Sequence, residues 1–124
     1  MRRSLAGVAL GSLFALATLP AQTPSVVGRW NLDLVNQFGG SMKIAVTFKQ
    51  EGHTLTGLCT GDELGSMTAA GEMNGSQINW RCSSEEHGEK QIATFTGTLN
   101  PNGYEMKGDW STVINGTFSG VLQR

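Results

Sequence analysis

The chain has 124 residues, enough for one domain. Glycine supplies 17 of them against 3 prolines, with no Gly-X-Y period, which excludes collagen-like and Pro-rich disordered chains. Charged residues are 15% and the net charge is −1, too little charge for a solvated disordered chain and no basic excess for a nucleic-acid protein.

Residues 1–21 read as a secretory signal peptide. Arg2 and Arg3 give the positive start, and Leu5 to Leu19 is an uncharged run rich in Leu and Ala. That run is about 15 residues, short of the roughly 20 that span a bilayer as a helix. Pro20 breaks it, and the small Ala21 suits the position before cleavage. The alternative is an uncleaved N-terminal anchor. No Cys follows the run, which argues against a lipid anchor, and no later stretch is long and apolar enough to cross a membrane. Cleavage removes Arg2 and Arg3 and leaves a more acidic chain of about 100 residues, room for one modest core. Residues 22–27 are expected to be a flexible lead-in, and 28–124 the folded domain.

From residue 28 onward the pattern is one of hairpins. Asn-Gly favours the tight turn that joins antiparallel strands. It occurs at Asn74-Gly75, Asn102-Gly103 and Asn115-Gly116, with Glu51-Gly52 as a weaker fourth turn. Between turns the apolar residues alternate, the period of a half-buried strand. Met42, Ile44, Val46 and Phe48 share one parity against Lys43, Ala45, Thr47 and Lys49. Met67, Ala69, Gly71 and Met73 form a second set, Ile78, Trp80 and Cys82 a third, and Ala93, Phe95, Gly97 and Leu99 a fourth. No helical stripe competes. The spacing predicts strands over 28–36, 41–50, 53–60, 66–73, 76–83, 90–99, 103–110 and 116–123. Short connections make neighbours antiparallel. An open meander would leave edges exposed, and no helix is available to cover it. The expected fold is therefore all-β, an eight-stranded antiparallel up-and-down β-barrel, with a two-sheet sandwich as the alternative. Gly57, Gly97, Gly108 and Gly120 fall inside strands at inward parity. They serve either tight coiling of a small barrel or space for a ligand.

Gly28-Arg29-Trp30 at the head of the first strand resembles the Gly-x-Trp start of the calycin barrels: lipocalins, fatty-acid-binding proteins and avidins. The resemblance implies that Gly28 and Trp30 are structural at one barrel end. Trp30 would plug that end beneath the last strand, with Arg124 as the only candidate for the terminal Arg that packs over it. The chain also resembles small secreted bacterial barrels, through Leu55-Thr56-Gly57, Thr96-Gly97-Thr98, Met106-Lys107-Gly108 and Gly116-Thr117-Phe118. That likeness implies fold and export and no particular chemistry. Avidin is echoed in Trp30, Leu34, Gly40-Ser41, Leu55-Thr56-Gly57 and Asp109-Trp110. Where avidin has a biotin-binding Tyr, however, this chain has Cys59.

Cys59 and Cys82 are the only cysteines, and an even count in an exported chain favours a disulfide. They fall on the third and fifth strands. Two strand spacings are nearly 10 Å, whereas a bridge needs Cα atoms within about 7 Å. A late start of the fourth strand, after 61–65, would let them approach. The alternatives are two buried thiols, or a reactive or metal site. His53, and His87 with Glu85, Glu86 and Glu89, are the residue types of a divalent-metal site, but a mixed polar loop is ordinarily solvated surface. No nucleophile motif supports a hydrolase. Asn74-Gly75-Ser76 and Asn115-Gly116-Thr117 have the form of glycosylation acceptors and read here as turns.

The expected function is non-enzymatic: an exported barrel that binds a small apolar or amphipathic ligand, without cofactor, metal, nucleic acid or membrane span. Trp80, Phe95, Trp110, Met42 and Met73 are the candidate lining, since inward aromatics and adaptable Met suit an apolar pocket. The same residues equally suit a plain core. The rival function is an exported inhibitor or protein-interaction module with a solid barrel and working loops. A biotin binder is the remaining alternative.

Overall fold

A computed structural model describes residues 23–61, 65–86 and 89–124. The signal segment and His87 lie outside the described residues. Eight strands follow in order: β1 (Gly28–Asn36), β2 (Ser41–Glu51), β3 (Thr54–Gly61), β4 (Gly65–Asn74), β5 (Gln77–Glu86), β6 (Glu89–Leu99), β7 (Glu105–Ser111) and β8 (Asn115–Leu122). Each pairs antiparallel with the next, and β1 pairs with β8, so the sheet closes into an up-and-down barrel. The expected strands are present to within a few residues.

Alternation decides the inside. Trp30, Leu32 and Leu34 of β1 point in, as do Ile44, Val46 and Phe48 of β2, Trp80 of β5, Phe95 of β6 and Phe118 of β8. Charged side chains such as Asp33, Lys43, Lys49, Arg81 and Lys107 are exposed on the outer wall. A barrel lipid-facing on its outside carries an apolar band instead. Ala45 departs from its expected parity. It belongs to the outward set, yet it is buried between Asn31 and Thr60 of the flanking strands, where its short methyl stays below the longer neighbours.

Two of the Asn-Gly pairs make turns, with Gly75 and Gly103 at φ of 60° and 81°. Asn115-Gly116 does not. Both residues belong to β8, and the β7–β8 connection is made by 112–114. Gly116 has a different task. A Cβ there would collide with the Val35 carbonyl oxygen and lie 2.8 Å from the Trp110 indole nitrogen. Gly57, Gly71 and Gly108 are similar, each facing backbone of the adjoining strand where a side chain would stand. Gly57, Gly71, Gly108 and Gly116 thus serve tight coiling, whereas a Cβ at Gly120 would meet the Leu32 and Met106 side chains. Large inward residues take the room they leave: Phe48 is registered against Gly57, Trp80 against Gly71 and Phe118 against Gly108.

Candidate functional site

The two ends of the barrel are built differently. One carries the turns at Gly52, Gly75 and Asn100–Tyr104, together with the lead-in to β1. The described part of that lead-in, 23–27, is tied to the barrel at Pro24 and Val26. Val26 is fully buried and belongs to the core. Its N–H donates to Gln50 Oε1 at 2.9 Å, and Gln50 Nε2 donates to the carbonyls of Pro24 at 2.9 Å and Gly52 at 3.0 Å. Trp30 Nε1 donates to the Val26 carbonyl at 2.9 Å. Held between the Gln50 side chain and the Trp30 indole, Val26 makes the segment a strap across this end. Gly28, at φ 127°, turns the strap into β1.

Trp30 is fully buried where the first and last strands meet, registered against Val46 of β2 and Leu122 of β8. Arg124 does not cap its indole N–H, which the strap has taken. The Arg124 guanidinium instead lies 3.9 Å from the centre of the Tyr104 ring. Gln123 N–H donates to the Arg29 carbonyl at 2.8 Å, which fixes the course of the chain end. His53 Nδ1 lies 3.0 Å from the Met73 carbonyl oxygen, a position that suits an N–H donor.

Next comes an aromatic layer. Trp80 stacks on Phe95 with centroids 4.6 Å apart and planes 1° from parallel. Phe48 and Phe118 meet Trp80 edge-on at 5.2 Å and 5.5 Å. Such geometries favour ring over ring beyond simple burial. Three of the candidate lining residues, Trp80, Phe95 and Met73, are therefore inside a packed region. Trp80 Nε1 is the exception to its satisfaction: it is buried and has no hydrogen-bond partner among the described residues. An unpaired buried donor costs about 1–3 kcal/mol.

The opposite end holds Cys59 and Cys82, joined in a disulfide with Cα atoms 6.0 Å apart. The approach is not made by a late start of β4. That strand begins at Gly65 and runs between them, with Cys59 opposite Met67 and Cys82 opposite Ala69. Curvature closes the distance instead. Two strand spacings measure nearly 10 Å on a flat sheet, and inward-facing cysteines on a tightly curled one converge. Met42 is half-buried at this end, and Trp110 is buried with Nε1 donating to the Thr117 carbonyl at 3.0 Å. Trp80, Phe95 and Trp110 stand opposite one another across β5, β6 and β7, while Met73 and Met42 lie on β4 and β2.

Two loops at the disulfide end display apolar side chains that the strand pattern passes over. Phe38 is 76% exposed between β1 and β2, and Val113 is wholly exposed between β7 and β8. Neither loop hangs free. Asn36 Oδ1 accepts from the N–H groups of Phe38 at 2.8 Å and Gly40 at 3.0 Å. Gln37 N–H donates to the Asn115 carbonyl at 2.9 Å, and Asn115 N–H donates to Gln37 Oε1 at 2.8 Å. The two loops form one tied platform. An aromatic inside Asn-Gln-Phe-Gly-Gly was the available sequence signal, because a turn rarely needs a Phe.

Fold and site together define an eight-stranded antiparallel β-barrel with one strapped end and one bridged end. No family model matches the chain, and no curated protein matches it. A redesigned β-barrel of known structure superposes with a TM-score of 0.59 at 12% identity, over 80% of this chain and 91% of that one. At that identity the likeness is one of fold alone.

Proposed function

We propose that the chain is an exported, calycin-like, non-enzymatic barrel that acts as a protein-interaction module through the loops of its disulfide end. The observation that carries this reading is Phe38, 76% exposed on a loop held by Asn36 and tied to β8 through Gln37 and Asn115. Exposed aromatics on pre-ordered loops bind with little ordering cost. The disulfide and the signal-like start of the chain both accord with an oxidising compartment.

The test is site-specific photocrosslinking in the producing cell. A photoreactive residue at position 38 should yield a discrete protein adduct, and one at outward-facing Thr96 on the barrel wall should not. Equal labelling from both positions, or none from 38, rejects the reading. N-terminal sequencing of the same material should find the chain beginning near Gln22. An intact Met1 removes the export.

One observation favours a second reading, a small amphipathic ligand inside the barrel. The unpaired Trp80 N–H would suit a ligand carrying one acceptor atom, and Trp110 and Met42 stand toward the disulfide end from which it would enter. Native mass spectrometry of protein from its own host separates the two. A stoichiometric small-molecule adduct supports the ligand reading, and bare protein supports the loops.

A further inference from the structure

The longest hairpin of the barrel outruns its neighbours at the disulfide end. β6 pairs with β5 from Glu89 opposite Glu86 to Thr98 opposite Gln77. Its other neighbour, β7, is shorter and pairs only from Thr94 to Leu99. Lys90 to Ala93 therefore have a strand on one side alone.

The direction of the main chain there follows from the other end of β6. Leu99 N–H donates to the Ser76 carbonyl on the β5 side, and Asn100 N–H donates to the Glu105 carbonyl on the β7 side. Strand geometry alternates these directions, and the β5–β6 register runs without a bulge. Even-numbered residues of β6 thus aim N–H and C=O toward β7, and at Lys90 and Ile92 β7 is no longer there. Had β7 continued in register past Ser111, Val113 would stand opposite Ile92. The chain leaves instead at Thr112, whose N–H turns back to the Ile114 carbonyl at 2.7 Å. Between the departing loop and the β6 edge lies an open groove of about 590 Å³, lined by Met67, Lys90, Ile92, Ala93 and Val113 among others.

We infer that this edge is a docking site for an extended polypeptide segment of a partner protein, added as a strand beside Lys90–Ala93. The main chain selects the occupant: two N–H and two C=O groups at strand spacing are complemented by another extended backbone, as in β-strand addition. Four residues of edge span about 13 Å, the length of a short recognition strand. Alternate side chains of that strand would meet Ile92 on the outer wall, and Met67, Ala93 and Val113 on the mouth side. The preferred segment has small or branched apolar residues at every second position facing the mouth. Val113 belongs to the same tied platform as Phe38, so the inference rests on the interaction reading and gives its partner a chemistry.

Selection from a random linear peptide library displayed on phage tests it, with the exported, disulfide-intact protein as target. Ile92→Pro is the discriminating variant. Its N–H faces the open side, so proline there removes no bond within the barrel, and the melting temperature should stay within a few degrees. Should it melt early, Lys90→Pro repeats the test on the same edge. Enriched peptides should show the alternating pattern. They should lose at least tenfold in affinity against Ile92→Pro, and as much when their own edge-facing amides are N-methylated. Peptides that bind the variant equally, or no enrichment, overturn the assignment. A concentration-dependent dimer of the free protein, abolished by Ile92→Pro, also overturns it and gives the edge to a second copy. Crosslinking from position 38 that survives Ile92→Pro keeps the interaction reading while removing this edge from it.

Discussion

The two ends of this barrel solve one problem in opposite ways. A small cylinder of strands must stop water from entering at top and bottom. At the strapped end the chain uses bulk and hydrogen bonds: Trp30, Val26 and the Gln50 side chain interlock, and every polar atom in that set has a partner. At the bridged end it uses a covalent tie between Cys59 and Cys82, small Ala69 and Ala93 inside, and loops that leave Phe38 and Val113 in solvent. The first end is finished inside, although Val27, Tyr104 and Val121 are partly exposed around it. The second is held in shape with the most exposed apolar side chains, Phe38 and Val113, on its loops.

Trp30→Ala attacks the finished end and should have the largest effect. Truncating a buried Trp costs about 3–5 kcal/mol, against the roughly 5–15 kcal/mol that holds a domain together. Urea melts should find the variant close to unfolded. A loss below about 1 kcal/mol would show that Trp30 is not the plug, and the contrast would fail at its stronger side.

Removing both cysteines attacks the bridged end. The disulfide joins residues 23 apart in sequence, for which loop-entropy arguments give about 3 kcal/mol. Cys59→Ala with Cys82→Ala should lower the urea midpoint by that measure, and reducing agent should lower the wild type likewise. The Trp30 indole N–H resonance, held by the Val26 carbonyl, should stay at its native position in the folded variant, because the two ends are closed separately. A shifted Trp30 resonance would show that they are coupled.

Gln50→Ala sharpens the comparison by releasing the strap while keeping Trp30. It deletes the bonds to Val26 N–H and Pro24 O, at about 1 kcal/mol each. Amide exchange at Val26 should accelerate before any change at Phe48 on the same strand as Gln50. Phe38→Ser should have the smallest effect on folding. An exposed substitution of this kind moves stability by about 0.5 kcal/mol or less, while the partner identified by crosslinking from position 38 should no longer co-purify with the variant. Strong destabilisation would make Phe38 a packing residue and leave the bridged end without its display.

Much of the barrel was legible because its signals are local. Met42 to Phe48 alternates within one strand, and Asn74-Gly75 turns within two residues. The errors share a cause. Asn115-Gly116 has the letters of a turn, but the pressure on Gly116 comes from Val35, at the far end of the sequence. The Cys59–Cys82 approach depends on sheet curvature, which no spacing rule for flat strands contains. The burial of Val26 was not legible because its partners, Gln50 and Trp30, meet it only when the barrel has closed. The Phe38 platform was invisible for the same reason: its tie from Gln37 to Asn115 spans 78 residues.

The pairing of β1 with β8 has a consequence for timing. A chain that emerges N-terminus first offers β1 with one edge unmatched until the last strand, Asn115–Leu122, is delivered. Every earlier hairpin can form as it appears, but the seam cannot. Closure is then a single late event joining the first and last strands of the barrel, the kind of contact that slows folding into the ms–s range or so for all-β domains. Until it happens, the waiting edge is open to any passing strand. Truncation anywhere in β8 therefore does more than shorten the protein. It holds the molecule in its most adhesive state.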